Sequence, residues 1–260
     1  MTTFIDYTKT VYFFELLLIM TQKELQTRYK NTLLGFLWLV LNPLVQMIII
    51  GTVFTFFIKQ PIKDYYFFLF LGLLPWNFLF LSLTKTTPCI VYERNLIKKA
   101  RFPKIVIPLS IALSNFFHFL VAILLFFIPL LILKTIKFPE ILFVLPAISL
   151  LFLFTIGLSL ITSTLNVRYR DINLFVQTLL LVWFYATPIL YSLSLIPTHL
   201  VFLWSLNPLV IILQTLRFSL LDFPPPSLMV ILINGLSIVA IFVIGLYIFQ
   251  KESKNFDDWI

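Results

Sequence analysis

Residues 105–133 read IVIPLSIALSNFFHFLVAILLFFIPLLIL, 29 positions without one Asp, Glu, Lys or Arg. A helix rises about 1.5 Å per residue, so this run is long enough to cross the roughly 30 Å hydrocarbon core of a bilayer. Five more charge-free runs accompany it, at 35–58, 65–83, 141–165, 172–191 and 228–249. They lack the alternation of barrel strands, and lipid offers a backbone no hydrogen-bond partner, so helices are expected. Pro43, Pro75, Pro108, Pro129, Pro146 and Pro188 fall inside the runs and are expected to kink several of them.

The composition agrees. Of 260 residues, 60% are apolar and 12% charged, with a mean hydropathy of +1.03. Soluble domains carry about 25% charge, so this chain cannot coat a compact surface in water. Thirty Phe, ten Tyr and five Trp exclude disorder, and the single cysteine, Cys89, excludes a disulfide scaffold.

The net charge of +8 is not a nucleic-acid signal here, because its distribution follows the positive-inside pattern. Segments 1–34, 84–104, 166–171 and 250–260 hold fourteen of the basic residues and the alternate segments hold five. Six crossings with both termini cytoplasmic are therefore expected. A seventh apolar run, 200–221, contains Asn207, Pro208 and Arg217 and ends at Pro224, Pro225 and Pro226. It reads as a re-entrant helical pair before the last span, because a charge at a helix centre costs about 2.5–3.5 kcal/mol. The first 34 residues lack a cleavage site and read as an amphipathic helix in the interface. Tyr7, Val11, Phe14, Leu18, Leu25 and Tyr29 repeat at helical spacing, with Lys9, Lys23, Arg28 and Lys30 able to face lipid headgroups. A helix packed on a partner is the alternative.

No segment accommodates a soluble catalytic domain, and none of the six glycines opens a GxxxxGK[ST] phosphate cradle. An enzyme is not expected, nor any cofactor in this chain. His118 and His199 lack metal-ligand spacing, so no metal is expected and His118 reads as a helix-packing residue. Ion-coupled transporters carry intramembrane carboxylates, whereas these runs hold no Asp, Glu, Lys or Arg. Energy for uphill transport is then expected from an ATPase acting on a cytoplasmic loop. Loop 84–104 fits: Ile90, Val91, Leu96 and Ile97 form an apolar stripe beside Glu93, Arg94, Lys98, Lys99 and Arg101, with Pro88 and Pro103 at its ends. A headgroup anchor explains the same charges.

Five blocks occur in order: RYKNTLLGFLWLVLNPL (28–44), NLIKKARFPKIVIPLS (95–110), LNVRYRDI (165–172), TPILY (187–191) and LNPL (206–209). Together they resemble the permease subunit of type-2 ABC exporters for cell-surface polysaccharides, of the Wzm O-antigen type, with capsule and teichoic-acid permeases as relatives. The resemblance covers nearly the whole chain and implies an all-α permease domain over 1–260 in a bacterial inner membrane. It implies a homodimer with two separate nucleotide-binding subunits that hold ATP and Mg, a coupling helix in 84–104, and an undecaprenyl-diphosphate-linked glycan as substrate. A permease for drugs or lipids, or a membrane assembly protein without transport, are the rival readings.

For a glycan, a neutral path of aromatics and amides is suited to stacking and hydrogen bonding. Trp76, Asn77, Phe80, Trp183 and Tyr185 are the candidates, with Trp38, Phe184, Gln46 and Gln177 beside them. An interfacial aromatic belt explains the same rings. For a lipid diphosphate, Arg28, Lys30, Arg168 and Arg170 stand at the cytoplasmic ends of the runs, where ordinary anchoring also places Arg and Lys.

Overall fold

A computed structural model describes residues 2–30, 35–58, 62–133 and 138–259. Among them the regular structure is entirely helical. In chain order the helices are α1 (Thr2–Tyr29), α2 (Trp38–Thr52), α3 (Tyr65–Thr86), α4 (Cys89–Tyr92), α5 (Arg94–Lys99) and α6 (Val106–Leu133). There follow α7 (Val144–Arg168), α8 (Ile172–Ala186), α9 (Thr198–Ser205), α10 (Pro208–Leu221), α11 (Leu228–Glu252) and α12 (Phe256–Trp259).

Four helical stretches are long and apolar enough to cross a membrane: Tyr65–Thr86, Val106–Leu133, Glu140–Arg168 and Leu228–Trp259. The first and fifth charge-free runs give shorter helices, Leu41–Phe57 and Ile172–Ala186. In the fifth, the chain turns extended at Thr187 because Pro188 disfavours the helical region for the residue before it. Its 15 residues span only about 22 Å. Pro108 and Pro146 lie in the first turns of α6 and α7, where no intrahelical partner is lost, so the expected kinks do not apply there. Pro43, Pro75 and Pro129 lie inside α2, α3 and α6. Residues 200–221 divide into two helices: α9 and α10 meet at 95° across Asn207, the bend of a broken span or of a re-entrant loop. The Asn207 side chain caps α10 by accepting from Leu209 N at 3.1 Å, with Pro208 at the first position.

α3 is the centre of the bundle, packed by α2, α6, α7, α8 and α10. Phe68, Phe70, Phe78, Phe119, Phe126 and Phe154 fill the main core. A second core joins Cys89, Ile90 and Ile97 to Ile107 and Ile111 of α6, Ile156 and Leu160 of α7, Phe249 of α11 and Phe256 of α12. α7 and α11 pair most closely, backbone to backbone. A Cβ on Gly245 would lie 2.5 Å from the Gly157 carbonyl, and one on Gly157 would lie 2.8 Å from the backbone of Phe242. Small residues are what allow membrane helices to approach this way.

α1 packs along α6, and it does so with residues outside the apolar repeat. Leu17 and Met20 turn inward, whereas Val11, Phe14 and Leu18 are exposed. Nor do all its cations reach outward: Lys23 pairs with Glu93 at 3.4 Å, and Arg28 turns into the bundle. The side chains of Tyr7, Lys9 and Tyr29 lie outside the described residues.

Candidate functional site

The short helices α4 and α5 break at Glu93, which links them in one turn. Their apolar stripe is divided by the fold. Ile90 is 0% exposed and Ile97 5%, both inside the second core. Ile90 therefore faces its own chain and is not available as a docking knob. Val91 and Leu96 are half-buried, and the surface consists of Tyr92, Arg94, Lys98, Lys99 and Arg101, with Glu93 held by Lys23. This leaves a basic, aromatic-tipped surface rather than an apolar one. Cys89 is buried beside it, and desolvation raises its thiol pKa far above the ordinary value. A thiolate is the reactive form. A maleimide at neutral pH is expected to leave Cys89 unmodified in folded protein and to label it after denaturation, as read by mass spectrometry.

The four cations taken for a lipid diphosphate separate into two places. Arg28 donates to His118 Nδ1 and, at 2.5 Å, to Asn115 Oδ1, both on α6. Asn115 in turn donates to Ser82 Oγ of α3 at 3.3 Å. His118 is thus buried between α1 and α6 as a packing residue, with Nδ1 facing the Arg28 guanidinium. Lys30 is exposed. Arg168 lies 5.4 Å from the Tyr169 ring centroid and 5.6 Å from that of Trp259, brought under α7 by the C-terminal helix α12. That helix is held by Lys104, which donates to Asp257 Oδ2 at 2.7 Å and to the Ser253 carbonyl at 3.0 Å. Arg170 is exposed. The sequence carried no sign of Trp259 in this role, because 91 positions of chain separate it from Arg168.

The aromatic set also divides. Trp76 is 6% exposed and packs on Phe184 at 5.4 Å between centroids, and Trp183 is edge-on to Phe154 at 5.9 Å. These rings brace α3, α7 and α8 against one another. Exposed instead are Phe80 on α3 and Tyr185 on α8, with Asn77 donating to Gln46 of α2 at 2.9 Å. Gln177 and Asn173 form a second exposed amide pair on α8, at 3.3 Å. Trp38 is exposed on α2.

A third cluster lay outside the sequence reading. Arg217 of α10 is 4% exposed. Its Nη1 donates to the Pro188 carbonyl at 2.7 Å, and its Nη2 to those of Ile189 at 3.1 Å and Phe68 at 3.4 Å. The Arg counted above as an obstacle to membrane crossing is tucked into the break after α8. Beside it, Tyr65 donates to the Leu190 carbonyl at 2.8 Å and Asn207 to Thr187 Oγ1 at 3.0 Å. Trp183, Trp204, Leu203 and Pro208 line a shallow, open depression next to this break.

Apolar helices around aromatic cores, with polar groups concentrated at helix breaks and paired amides on outer faces, define a multi-pass α-helical membrane protein. The chain belongs to the ABC-2 type transporter membrane family, whose pattern matches residues 15–221. It is similar to the O-antigen export system permease protein RfbA of Klebsiella pneumoniae, 33% identical over 248 residues, 94% of this chain and 95% of that protein. The protein of the same name from Myxococcus xanthus is 32% identical over 254 residues, with the same coverage.

Proposed function

We propose that the chain is the permease of an ATP-driven exporter that moves an O-antigen-like, undecaprenyl-diphosphate-linked glycan across the bacterial inner membrane. The similarity to O-antigen export permeases along 94% of the chain carries this reading. In it, residues 1–260 form one permease domain with six spans and both termini cytoplasmic, and α9 and α10 are the re-entrant pair in the outer leaflet. The short α8 suits that arrangement, since a span of about 22 Å leaves room for protein above it. Two copies assemble with two nucleotide-binding subunits, which supply ATP and Mg, so the permease itself is not an enzyme.

Asn77, Phe80 and Tyr185 line the glycan path, with Trp76 and Trp183 bracing them from behind. Paired amides and exposed rings suit sugar, which stacks on a ring for about 0.5–1.5 kcal/mol and slides on. Alanine at Tyr185 or Phe80 is expected to slow export in a graded way, severalfold at most, in proteoliposomes holding both subunits. Alanine at Trp76 is expected to lower the thermal stability of the permease as well, by about 3–5 kcal/mol for a buried ring. Lys30, Arg168 and Arg170, which are exposed, receive the lipid diphosphate at the inner leaflet, while Arg28 is engaged by Asn115 and His118 and ties α1 to α6. Arg94 and Lys98, with Val91, Glu93 and Leu96 behind them, meet the ATPase.

Labelling from outside tests the topology. Cysteines at positions 62 and 194 are expected to react with an impermeant reagent, and those at 98 and 254 to be protected. Outside labelling at 254 would overturn the six-span arrangement. Export in reconstituted vesicles is expected to require hydrolysable ATP and to be unaffected by an uncoupler. Transport that persists without ATP and collapses with the uncoupler would overturn the exporter reading.

A further inference from the structure

A helix that stops inside a bilayer strands its last carbonyls, and the irregular chain beyond it is ordinarily a hinge. Here most of the carbonyls around the break are engaged. The Trp183 carbonyl accepts from Thr187 N at 3.0 Å and Thr187 Oγ1 at 2.8 Å, and the Tyr185 carbonyl accepts from Tyr191 OH at 3.0 Å. The Pro188 and Ile189 carbonyls are taken by Arg217 and that of Leu190 by Tyr65. Three helices thus converge on residues 187–190.

Arg217 is the member that cannot let go. Its guanidinium carbon lies 3.4 Å from the centroid of the Phe68 ring, and none of its hydrogen-bond acceptors is a carboxylate. Among the described residues the desolvated cation is met by backbone carbonyls and one ring, with its Nε buried and unpartnered, so withdrawing the 187–190 segment leaves a buried, uncompensated charge. The seat is shaped for a planar fork: a Cβ on Gly72 would lie 2.9 Å from Nη2 and 3.2 Å from the Ile189 carbonyl. A lysine ammonium is a point charge on a flexible stem and cannot lie flat between ring and carbonyls.

We propose that Arg217 is a positioning residue that binds the ends of α3, α8 and α10 into one rigid block, so the export path opens by movement around this block and not by hinging at 187–190. The proposal rests on the export reading for its consequence, but its geometry is measured separately. Spin labels are placed at Leu81 on α3 and Ser194 beyond the break, with Cys89 replaced by alanine, and the doubly labelled permease is diluted into unlabelled permease and assembled with its ATPase. The distance between the labels is expected to be the same without nucleotide and with ATP trapped. In Arg217→Lys the distance distribution is expected to broaden, with export falling about tenfold, the effect of losing a hydrogen bond to a charged group, while ATP hydrolysis changes less than about twofold. Gly72→Ala is expected to reproduce both effects by displacing the guanidinium, which covers the case of an unstable Arg217 variant. A wild-type distance that shifts between nucleotide states, or Arg217→Lys with unaltered distances and full export, would overturn the proposal. Unchanged distances in a protein that exports nothing would refute the export reading alone.

Discussion

Valine at Gly157 is expected to abolish the stably folded permease. The contact is between backbones: the added Cβ would sit 2.8 Å from Phe242 Cα and 2.9 Å from its nitrogen, and no side chain there can swing away. α7 and α11 must then separate, and the loss of close packing along both helices costs about 2–4 kcal/mol or more, a large share of total stability. Gly245→Val is expected to match it, since its Cβ would meet the Gly157 carbonyl at 2.5 Å. Gly235→Val, where a Cβ meets nothing within 4 Å, is the control and is expected to behave as wild type. The fraction of monodisperse protein surviving a temperature ramp in detergent reads all three. A wild-type profile for Gly157→Val would mean that the two helices do not touch at this point.

Reversing charge at Arg94 and Lys98 together is expected to release the ATPase while leaving the permease folded. Both residues are exposed on α5, clear of the second core. In the proposed assembly each reversal puts a carboxylate where the partner meets a cation, and the pair is expected to weaken assembly about a hundredfold. Ile90→Asp has the opposite signature. Ile90 is fully buried, so a carboxylate there costs several kcal/mol of fold stability before any partner is met. Co-purification with the ATPase, scored beside thermal stability of the permease alone, separates the two. Retention of the ATPase by Arg94→Glu/Lys98→Glu would place the coupling surface elsewhere.

Much of the helical architecture was legible because a bilayer imposes a one-dimensional rule: long charge-free runs become helices. The same rule exposed 200–221 as a broken segment, through Asn207 and Pro208. It failed where helix ends depend on local backbone chemistry, as at Thr187. In α1 the repeat of Val11, Phe14 and Leu18 stays exposed, and the residues that pack on the bundle, Leu17 and Met20, lie outside it, since in a membrane an apolar side chain is as content with lipid as with protein. Periodicity does not say which apolar face is buried. For the same reason Trp76 and Tyr185 looked alike in sequence, although one is 6% exposed and the other 63%.

What the sequence alone determined is the helical class, the membrane setting and the place of the chain's basic loop, because these follow from hydropathy and charge counted along the chain. Tertiary structure alone decided where the charges went. Arg28 of α1 reaches Asn115 and His118 of α6, and Arg217 of α10 enters the break after α8. A charge in a low-dielectric interior is stable only where acceptors from other segments converge on it. Convergence of distant segments is a property of the folded chain, and no local window of residues contains it.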